Sequence, residues 1–215
     1  LNTQMKPSAL MRYLGQVKDF EKPKITLEQY ATDKEMAANV INLIDEEVGL
    51  EGNTVLDLGC GCGMLSIAAS AMGAAYCLGV EIDEDAAAIC KKNVEELECE
   101  EVVDILLADA LTAPLPHNFF DVVLLNPPFG TKKNEGIDIQ FVEKALKCVK
   151  EEGSVYSFHK SSTRSFLLKK GEELGAETRA AAQMRWKLSN TYRFHKKKAV
   201  DIDVDVICFT KIKKV

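Results

Sequence analysis

One stretch of the chain decides its fold: Thr54-Val55-Leu56-Asp57-Leu58-Gly59-Cys60-Gly61-Cys62-Gly63. Its first five residues are typical of a short buried strand, and the three glycines after them let the backbone turn sharply and approach a ligand closely. A strand that passes through a glycine-rich turn into a helix is typical of cofactor-binding α/β domains. Alternating glycines alone are a weak signal, because nicotinamide, flavin and methyltransferase folds share them.

Outward from this stretch, the hydrophobic pattern predicts strands that alternate with helices. The further strands are expected at Ala75 to Val80, Val102 to Leu107, Phe120 to Leu125 and Gly153 to Phe158, and the helices at Met64 to Met72, Asp83 to Glu98, Ile137 to Val149 and Ser161 to Leu174. Repeated strand-helix units force right-handed crossovers, and therefore a parallel sheet with helices on both faces.

The C-terminal part has a different pattern. Polar and apolar residues alternate strictly from Asp201 to Ile207, which predicts a strand with one wet face, paired antiparallel with a segment near Ala182 to Leu188. We therefore expect a single α/β domain over residues 1–215, with a doubly wound, mostly parallel Rossmann-like sheet and an antiparallel C-terminal hairpin. Residues 1–50 would form an N-terminal lid and helix, and residues 51–215 the catalytic core.

The composition is that of a globular protein, with 47% hydrophobic and 28% charged residues among 215. The net charge of -6 gives no overall attraction to nucleic acid, so any affinity for RNA must come from a local patch. An odd number of cysteines, 7, suggests reduced thiols in an intracellular compartment. No second Cys/His pair accompanies Cys60 and Cys62 at a ligand-like spacing, so no metal site is expected.

The uncharged stretch from Leu58 to Val80 is long enough to cross a bilayer on length alone. It opens with alternating glycines, however, and is flanked by Asp57 and Glu81. A strand, turn, helix and second strand explain it better, and we expect no membrane insertion.

Three features favour S-adenosylmethionine as the cofactor. Asp57 precedes the first glycine by two positions, and Glu81 ends the second strand, where a carboxylate can accept both ribose hydroxyls. Asp109 and Ala110 follow the third strand, where they can bind the adenine ring. Acidic walls suit a positively charged sulfonium, whereas a pyrophosphate prefers helix N-termini and bare backbone donors.

The most specific motif of the chain is Asn126-Pro127-Pro128-Phe129, directly after the fourth strand. An exocyclic amine on an aromatic ring is a poor nucleophile, because its lone pair is delocalised into the ring. The Asn126 side-chain oxygen and the Pro127 carbonyl can accept its two N–H groups, and Phe129 can stack on the base. Since Asn126 cannot act as a general base, acceleration is expected from alignment and electrostatics.

The glycine-rich stretch and the Asn-Pro-Pro-Phe motif resemble those of class I methyltransferases. Together with other stretches along most of the chain, they resemble the methyltransferase-like protein 5 family. The resemblance is carried by Phe20 to Lys24 (FEKPK), Leu27 to Tyr30 (LEQY), Asp57 to Gly63 (DLGCGCG), Asn126 to Lys132 (NPPFGTK), His159 to Arg164 (HKSSTR) and Phe194 to Lys198 (FHKKK). It implies an enzyme that forms N6-methyladenosine in small-subunit ribosomal RNA, in the nucleus (nucleolus) and cytoplasm. It also implies a heterodimer with a small zinc-ribbon activator subunit.

The resemblance also implies the site residues. Cofactor contacts would fall on Gln29, Thr32, Gly59, Cys62, Glu81, Asp109 and Ala110, with the catalytic loop at Asn126 to Phe129. We also expect Asp57 and Gly61 of the glycine-rich stretch to contact the cofactor. Phe20, Lys22 and Lys24 would lie in a segment that closes over the site, where we expect them to contact the RNA substrate. Two departures stand out: the second-strand acid is Glu81 where the family often has Asp, and Ala31 replaces a common proline, which predicts a less rigid lid.

Two surfaces are expected to bind partners. The third strand, Val102 to Leu107, should lie at a sheet edge, where its apolar side chains favour pairing with the activator subunit. Without that subunit, we expect the chain to be poorly soluble. RNA is expected to bind the basic-aromatic segment that includes His195, Lys196, Lys197 and Lys198, together with Lys132, Lys133, Lys160 and Arg164. For His159 and His195 we favour phosphate or packing roles over catalysis.

Three alternatives remain open. The same chemistry could act on a release-factor glutamine or an rRNA guanine, although the basic-aromatic segment favours RNA. A non-catalytic S-adenosylmethionine-binding ribosome-assembly factor would have no need of the intact Asn126, Pro127 and Phe129. A nicotinamide oxidoreductase is the most remote, because the GxGxxG spacing is absent.

Overall fold

A computed structural model describes residues 5–129, 136–189 and 199–213 of the chain. In that part of the chain there are seven strands: β1 Thr54–Leu58, β2 Tyr76–Glu81, β3 Val103–Leu107, β4 Phe120–Leu125, β5 Val149–Lys160, β6 Ala176–Ser189 and β7 Ala199–Lys211. The α-helices are α1 Pro7–Leu14, α2 Lys34–Val48, α3 Met64–Ala71, α4 Glu84–Glu96, α5 Ile137–Cys148 and α6 Arg164–Glu173. Short 3-10 turns occupy Ile25–Leu27 and Ser161–Thr163.

The strands form one sheet in the order β3-β2-β1-β4-β5-β7-β6. The pairs β1–β2, β2–β3, β1–β4 and β4–β5 are parallel, whereas β7 is antiparallel to both β5 and β6. The predicted doubly wound, mostly parallel sheet with an antiparallel C-terminal hairpin is therefore confirmed. The order reverses at β1 and β4, whose carboxyl ends flank the crevice where ligands bind in such sheets.

Neighbouring residues of β4 face opposite sides of the sheet and enter two different apolar clusters. Val122 and Leu124 join a cluster that includes buried residues of α1, α2 and α3. Val123 and Leu125 join a second cluster with α5 and α6. A strand that is buried on both faces has a continuous run of apolar residues in the sequence. For this reason both limits of β4 could be predicted correctly.

Several elements differ from their predicted limits, most of them by one or two residues at an end. The β5 strand begins at Val149 rather than Gly153. Val149 pairs with Phe120, and the exposed, charged residues after it sit where the register shifts between Phe120 and Val122, so the local pattern did not indicate a strand. The β6 strand begins at Ala176 rather than Ala182. Its first residues give little β signal, and pairing with β7 overrides their propensity. The helix expected from Ser161 divides into a 3-10 turn and α6.

The stretch from Leu58 to Val80 forms the glycine turn, helix α3 and most of strand β2. Among the described residues, no helix has both the length and the apolar character needed to cross a membrane. All seven cysteines are buried free thiols. Within the same ranges, no group of three or more His, Cys, Asp or Glu side chains could hold a metal ion.

Candidate active site

A cavity of about 500 Å³ opens at the carboxyl ends of β1, β2 and β4 and extends under the segment between α1 and α2. Its volume lies within the range of roughly 300–1,000 Å³ that is usual for small-ligand and cofactor sites. Most of the residues predicted for the site line it together: Phe20, Gln29, Thr32, Asp57, Gly59, Gly61, Cys62, Glu81, Asp109, Ala110, Asn126 and Pro128.

The glycine turn is closely packed on both sides. Gly63 has a φ of +90°, and a Cβ atom there would lie 2.5 Å from the Sγ atom of Cys90 on α4. At Gly61, with a φ of +55°, a Cβ atom would lie 3.0 Å from the Phe20 ring. Both positions therefore require glycine, because a side chain would be strained and would push the turn away from α4 and the N-terminal segment.

Asp57 is a buried carboxyl group at the base of the cavity, with only 2% of its surface exposed. Its Oδ2 atom accepts a hydrogen bond of 2.7 Å from Ser66 Oγ, whereas Oδ1 is buried without a hydrogen-bond partner among the described residues. Burial raises the pKa of Asp57 to about 7. A lone buried acceptor of this kind suits a ligand that brings a donor or a positive charge.

This shift predicts a pH dependence of stability. In the unfolded chain Asp57 ionises near 3.8, whereas in the folded protein it keeps its proton up to about pH 7. The folded state therefore binds more protons between these values, and its unfolding free energy falls as pH rises through that window. The variant Asp57→Asn should lack this decrease. The difference in unfolding free energy between the variant and wild type should therefore increase with pH in favour of the variant and level off above about pH 7.

Denaturant unfolding of the cofactor-free protein at several pH values between about 5 and 8 measures the effect. Asp201→Asn, at an exposed position of β7, is the matched control and should follow the wild-type curve. Parallel curves for wild type and Asp57→Asn would contradict the prediction.

Glu81 is buried at the end of β2 and accepts two backbone hydrogen bonds. Gly61 N donates to Oε2 and Asp83 N to Oε1, each at 2.8 Å. Burial raises the pKa of Glu81. The carboxylate is thus held rigidly beside the glycine turn, and each oxygen keeps a further lone pair for a ligand.

The third acid, Asp109, follows β3 and lies at the same edge of the sheet. Its Oδ1 atom accepts a hydrogen bond of 2.9 Å from Leu111 N, which fixes the turn after the strand. Ala110, next to it, is buried and also lines the cavity. The carboxyl ends of β1, β2 and β3 therefore place Asp57, Glu81 and Asp109 around one space.

The segment between α1 and α2 covers this space and is anchored to the start of α4. The buried Gln29 side chain donates from Nε2 to Asp83 Oδ2 at 2.6 Å and accepts from Lys24 N at 2.7 Å. The Lys24 ammonium group pairs with Asp83 and Asp85, and these hydrogen bonds raise the pKa of Lys24. The predicted contact of Lys24 with RNA is untested, and in the structure its charge is already balanced by two carboxylates.

A second anchor is Asn93 of α4, which is buried. Its Oδ1 atom accepts from Lys18 N at 2.9 Å, and its Nδ2 atom donates to Lys18 O at 2.9 Å and to Cys62 O at 2.8 Å. One side chain therefore joins the N-terminal segment, the glycine turn and α4. Sequence reasoning missed it, although a polar residue on the apolar face of a helix, next to Val94, was an available signal.

The Asn-Pro-Pro-Phe corner follows β4, the neighbour of β1, at the same edge of the sheet. Asn126 Nδ2 donates to Thr32 Oγ1 at 2.9 Å, and Pro128 lines the cavity while Pro127 is buried. The Phe129 ring lies edge-to-face against Trp186, with 5.9 Å between ring centroids and 77° between planes. The ammonium group of Lys160 lies 5.7 Å from the centre of the Phe129 ring.

Trp186, Tyr30 and Glu28 surround a small recess beside this corner together with Phe129. Sequence reasoning missed all three. Trp186 could have been noted as the single tryptophan of the chain, whereas nothing in the pattern indicated Glu28 or Tyr30 beyond their presence in a motif.

The remaining predicted residues are less informative. Lys22 is exposed, and Lys132, Lys133, His195, Lys196, Lys197 and Lys198 lie outside the described residues. His159 is buried, with Nε2 2.8 Å from Ser157 Oγ and Nδ1 3.4 Å from Asp138. Arg164 forms an ion pair with the buried Asp205. Packing is therefore the role that the geometry supports for His159.

Comparison with known proteins agrees with this geometry. Residues 35–185 match the family model described as Methyltransferase small domain. The chain is 50% identical over 205 residues to the rRNA N(6)-adenosine-methyltransferase metl-5 of Caenorhabditis elegans, covering 93% of this chain and 95% of that protein. It is 43% identical over 208 residues to the rRNA N(6)-adenosine-methyltransferase METTL5 of Danio rerio, with 96% and 99% covered.

Among solved structures, the crystal structure of PH1948 from Pyrococcus horikoshii superposes with a TM-score of 0.83 at 29% identity and covers 96% of both chains. The predicted resemblance is thus confirmed over nearly the whole length. Fold, site geometry and relatives agree: the chain belongs to the METTL5 family of rRNA N(6)-adenosine-methyltransferases.

Proposed function

We propose that the chain transfers a methyl group from S-adenosylmethionine to the N6 amine of an adenosine in small-subunit ribosomal RNA. One observation carries the proposal: Asn126 and Pro128 line the same cavity as Asp57, Glu81 and Asp109. Asn126, the proposed acceptor for an amine, therefore lies at the same cavity as the acidic side chains, while Pro127 and Phe129 line the small recess beside it. The names of the curated relatives, which are rRNA N(6)-adenosine-methyltransferases, support the substrate.

Family and fold imply S-adenosylmethionine as the methyl donor. When bound, it supplies an electrophilic methyl group on a sulfonium ion. We assign Glu81 to the ribose hydroxyls and Asp109 with Ala110 to the adenine. The glycine turn from Gly59 to Cys62 would border the methionine part. The residues fit this cofactor, because Asp57 Oδ1 lacks a partner in the described structure and a bound sulfonium ion would favour the ionised form of that carboxyl group.

The substrate amine would be held by Asn126 Oδ1 and the Pro127 carbonyl, with Phe129 against the face of the base. These acceptors stabilise the positive charge that develops on the nitrogen as the new bond forms, and the proline pair holds them in place. No general base is required, since the proton can leave to water afterwards. The contribution of these residues is alignment of the amine with the methyl group.

A base must be unstacked to reach a cavity of this kind, which favours a single-stranded or extrudable adenosine. We propose that Lys160, whose ammonium group lies 5.7 Å from the centre of the Phe129 ring, contacts the backbone of such a nucleotide. Contacts of RNA with Phe20, Lys22, Lys132, His195 and the lysines from 196 to 198 stay predictions. We also propose a nuclear (nucleolar) and cytoplasmic location, and a lid formed within residues 1–50 of a single domain.

The decisive experiment incubates the purified chain, alone and with its activator subunit, with isotopically labelled S-adenosylmethionine and small-subunit ribosomal RNA. The RNA is then digested and the labelled nucleoside identified. N6-methyladenosine is expected. Labelled methylguanosine, or label on a release-factor glutamine when that protein is added, would reject the proposed substrate. Cofactor binding without any transfer would favour a non-catalytic assembly factor.

The activator subunit is proposed to pair with β3. This strand is an edge of the sheet, and within the described residues it pairs with β2 alone. Leu106 and Leu107 are 38% and 52% exposed, and Ile82 beside them is 54% exposed. Apolar side chains along an open strand edge favour β-augmentation by a second chain.

Leu107→Asp should weaken this association about tenfold or more, because a buried leucine contact would be replaced by a desolvated charge. Co-purification of the two tagged chains and titration of one with the other measure the effect. Ile212→Asp is the matched control, since Ile212 is 55% exposed just after β7, away from β3. Equal binding by both variants would reject β3 as the interface.

A further inference from the structure

The Asn126 side chain and the N-terminal segment meet in one hydrogen bond. Thr32, 94 residues away in the chain and 7% exposed, accepts from Asn126 Nδ2 at 2.9 Å. Both residues line the same cavity. The contact therefore joins the cover of the cofactor site to the group that is assigned to the substrate amine.

The direction of this bond matters because the two ends of an amide side chain have the same shape and opposite chemistry. A substrate amine brings N–H donors and needs an acceptor. When Nδ2 donates to Thr32 Oγ1, the other end of the amide is the acceptor Oδ1. Rotation of the amide by a half-turn would instead turn Nδ2, a donor, towards the N–H donors of the substrate amine. The amine would then lack its acceptor.

We propose that Thr32 is a positioning residue for methyl transfer, and that its hydrogen bond with the Asn126 amide holds that side chain in place for the substrate amine. The proposal rests on the function proposed above. It goes beyond a cofactor contact for Thr32, because it assigns the residue to the substrate side of the reaction. The N-terminal segment then completes the catalytic corner as well as covering the cofactor.

Thr32 is held firmly enough for this role by anchors on both sides. Three residues before it, Gln29 is buried and bound to Asp83. One residue after it, Asp33 caps α2, its side chain accepting from Glu35 N at 2.8 Å and Met36 N at 3.4 Å. The hydroxyl is therefore presented from a short, tethered stretch.

The test is Thr32→Val, which keeps the branched shape and removes the acceptor. We expect kcat with ribosomal RNA at saturating cofactor to fall about ten- to hundredfold. The Kd for S-adenosylmethionine, measured separately by calorimetry, should change less than about threefold, within what one peripheral contact contributes. Thr32→Ser restores the hydroxyl and should recover most of kcat, which a purely structural role of the methyl group would not predict.

Thr32→Ala serves as a second variant in case Thr32→Val folds poorly. It should lose kcat to a similar extent. Thr178→Val, at a half-buried position near the start of β6, is the matched control and should keep wild-type kcat. Unchanged kcat in both Thr32→Val and Thr32→Ala would overturn the proposal. So would a Kd for S-adenosylmethionine that weakens as much as kcat falls, or no recovery of kcat with serine.

These outcomes are separable from failure of the proposed function. If the wild-type protein forms no N6-methyladenosine, the proposed function fails and the inference with it. If the wild type is active and the Thr32 variants match it, only the inference fails.

Discussion

Asn126→Ala is expected to lower kcat for adenosine methylation by about 10²- to 10³-fold, the range found when one preorganised polar group is removed from a transition state. The substitution removes the proposed acceptor for the amine while leaving the acidic end of the cavity intact. The Kd for S-adenosylmethionine should therefore stay within about threefold of wild type. Single-turnover transfer at saturating cofactor, together with calorimetric cofactor binding, measures both quantities.

Asn39→Ala is the matched control, because Asn39 is exposed on α2 and alanine is a good helix residue there. It should transfer methyl groups at the wild-type rate. Retained turnover in Asn126→Ala would refute the role given to the Asn-Pro-Pro-Phe corner. A matching loss of cofactor affinity would mean that Asn126 serves binding rather than the chemical step.

Glu81→Ala should weaken S-adenosylmethionine binding by about 10²-fold or more, since two hydrogen bonds from ribose hydroxyls to a carboxylate would be lost. The same change leaves Gly61 N and Asp83 N without their acceptor, so the glycine turn should loosen as well. Calorimetric titration measures the loss, and circular dichroism verifies that the variant is folded.

Glu84→Ala is the control for this experiment, as Glu84 is an exposed glutamate three residues further along, at the start of α4. Glu81→Gln keeps the shape and one acceptor, and it should bind with intermediate affinity. If Glu81→Ala bound the cofactor as well as wild type, the ribose assignment would be wrong and the acidic cavity would need another explanation.

The sequence predicted the central strands closely because their signals are local. β1 and β4 have the predicted limits of Thr54–Leu58 and Phe120–Leu125, since both are short apolar runs bounded by polar or glycine residues. The cofactor-side residues were also predictable, because carboxyl ends of parallel strands meet at one edge and Asp57, Glu81 and Asp109 lie at or just after such ends.

The tertiary contacts were harder to predict. The bonds from Asn93 to Lys18 and Cys62, and from Gln29 to Asp83, join residues that no periodicity relates. The early part of β6 has weak strand propensity and is held by β7, which a local pattern cannot reveal. Lys24 was expected to face RNA, and its pairing with Asp83 and Asp85 depends on how the N-terminal segment docks on α4.

The position of Trp186 has a practical consequence for following the reaction. It is the single indole of the chain, it is 3% exposed, and it touches the ring against which the incoming base is proposed to lie. Tryptophan fluorescence of the unlabelled protein, excited selectively over its five tyrosines, therefore arises beside the proposed substrate position. A quench on addition of RNA would give the time course of base entry directly, separately from the rate of methyl transfer.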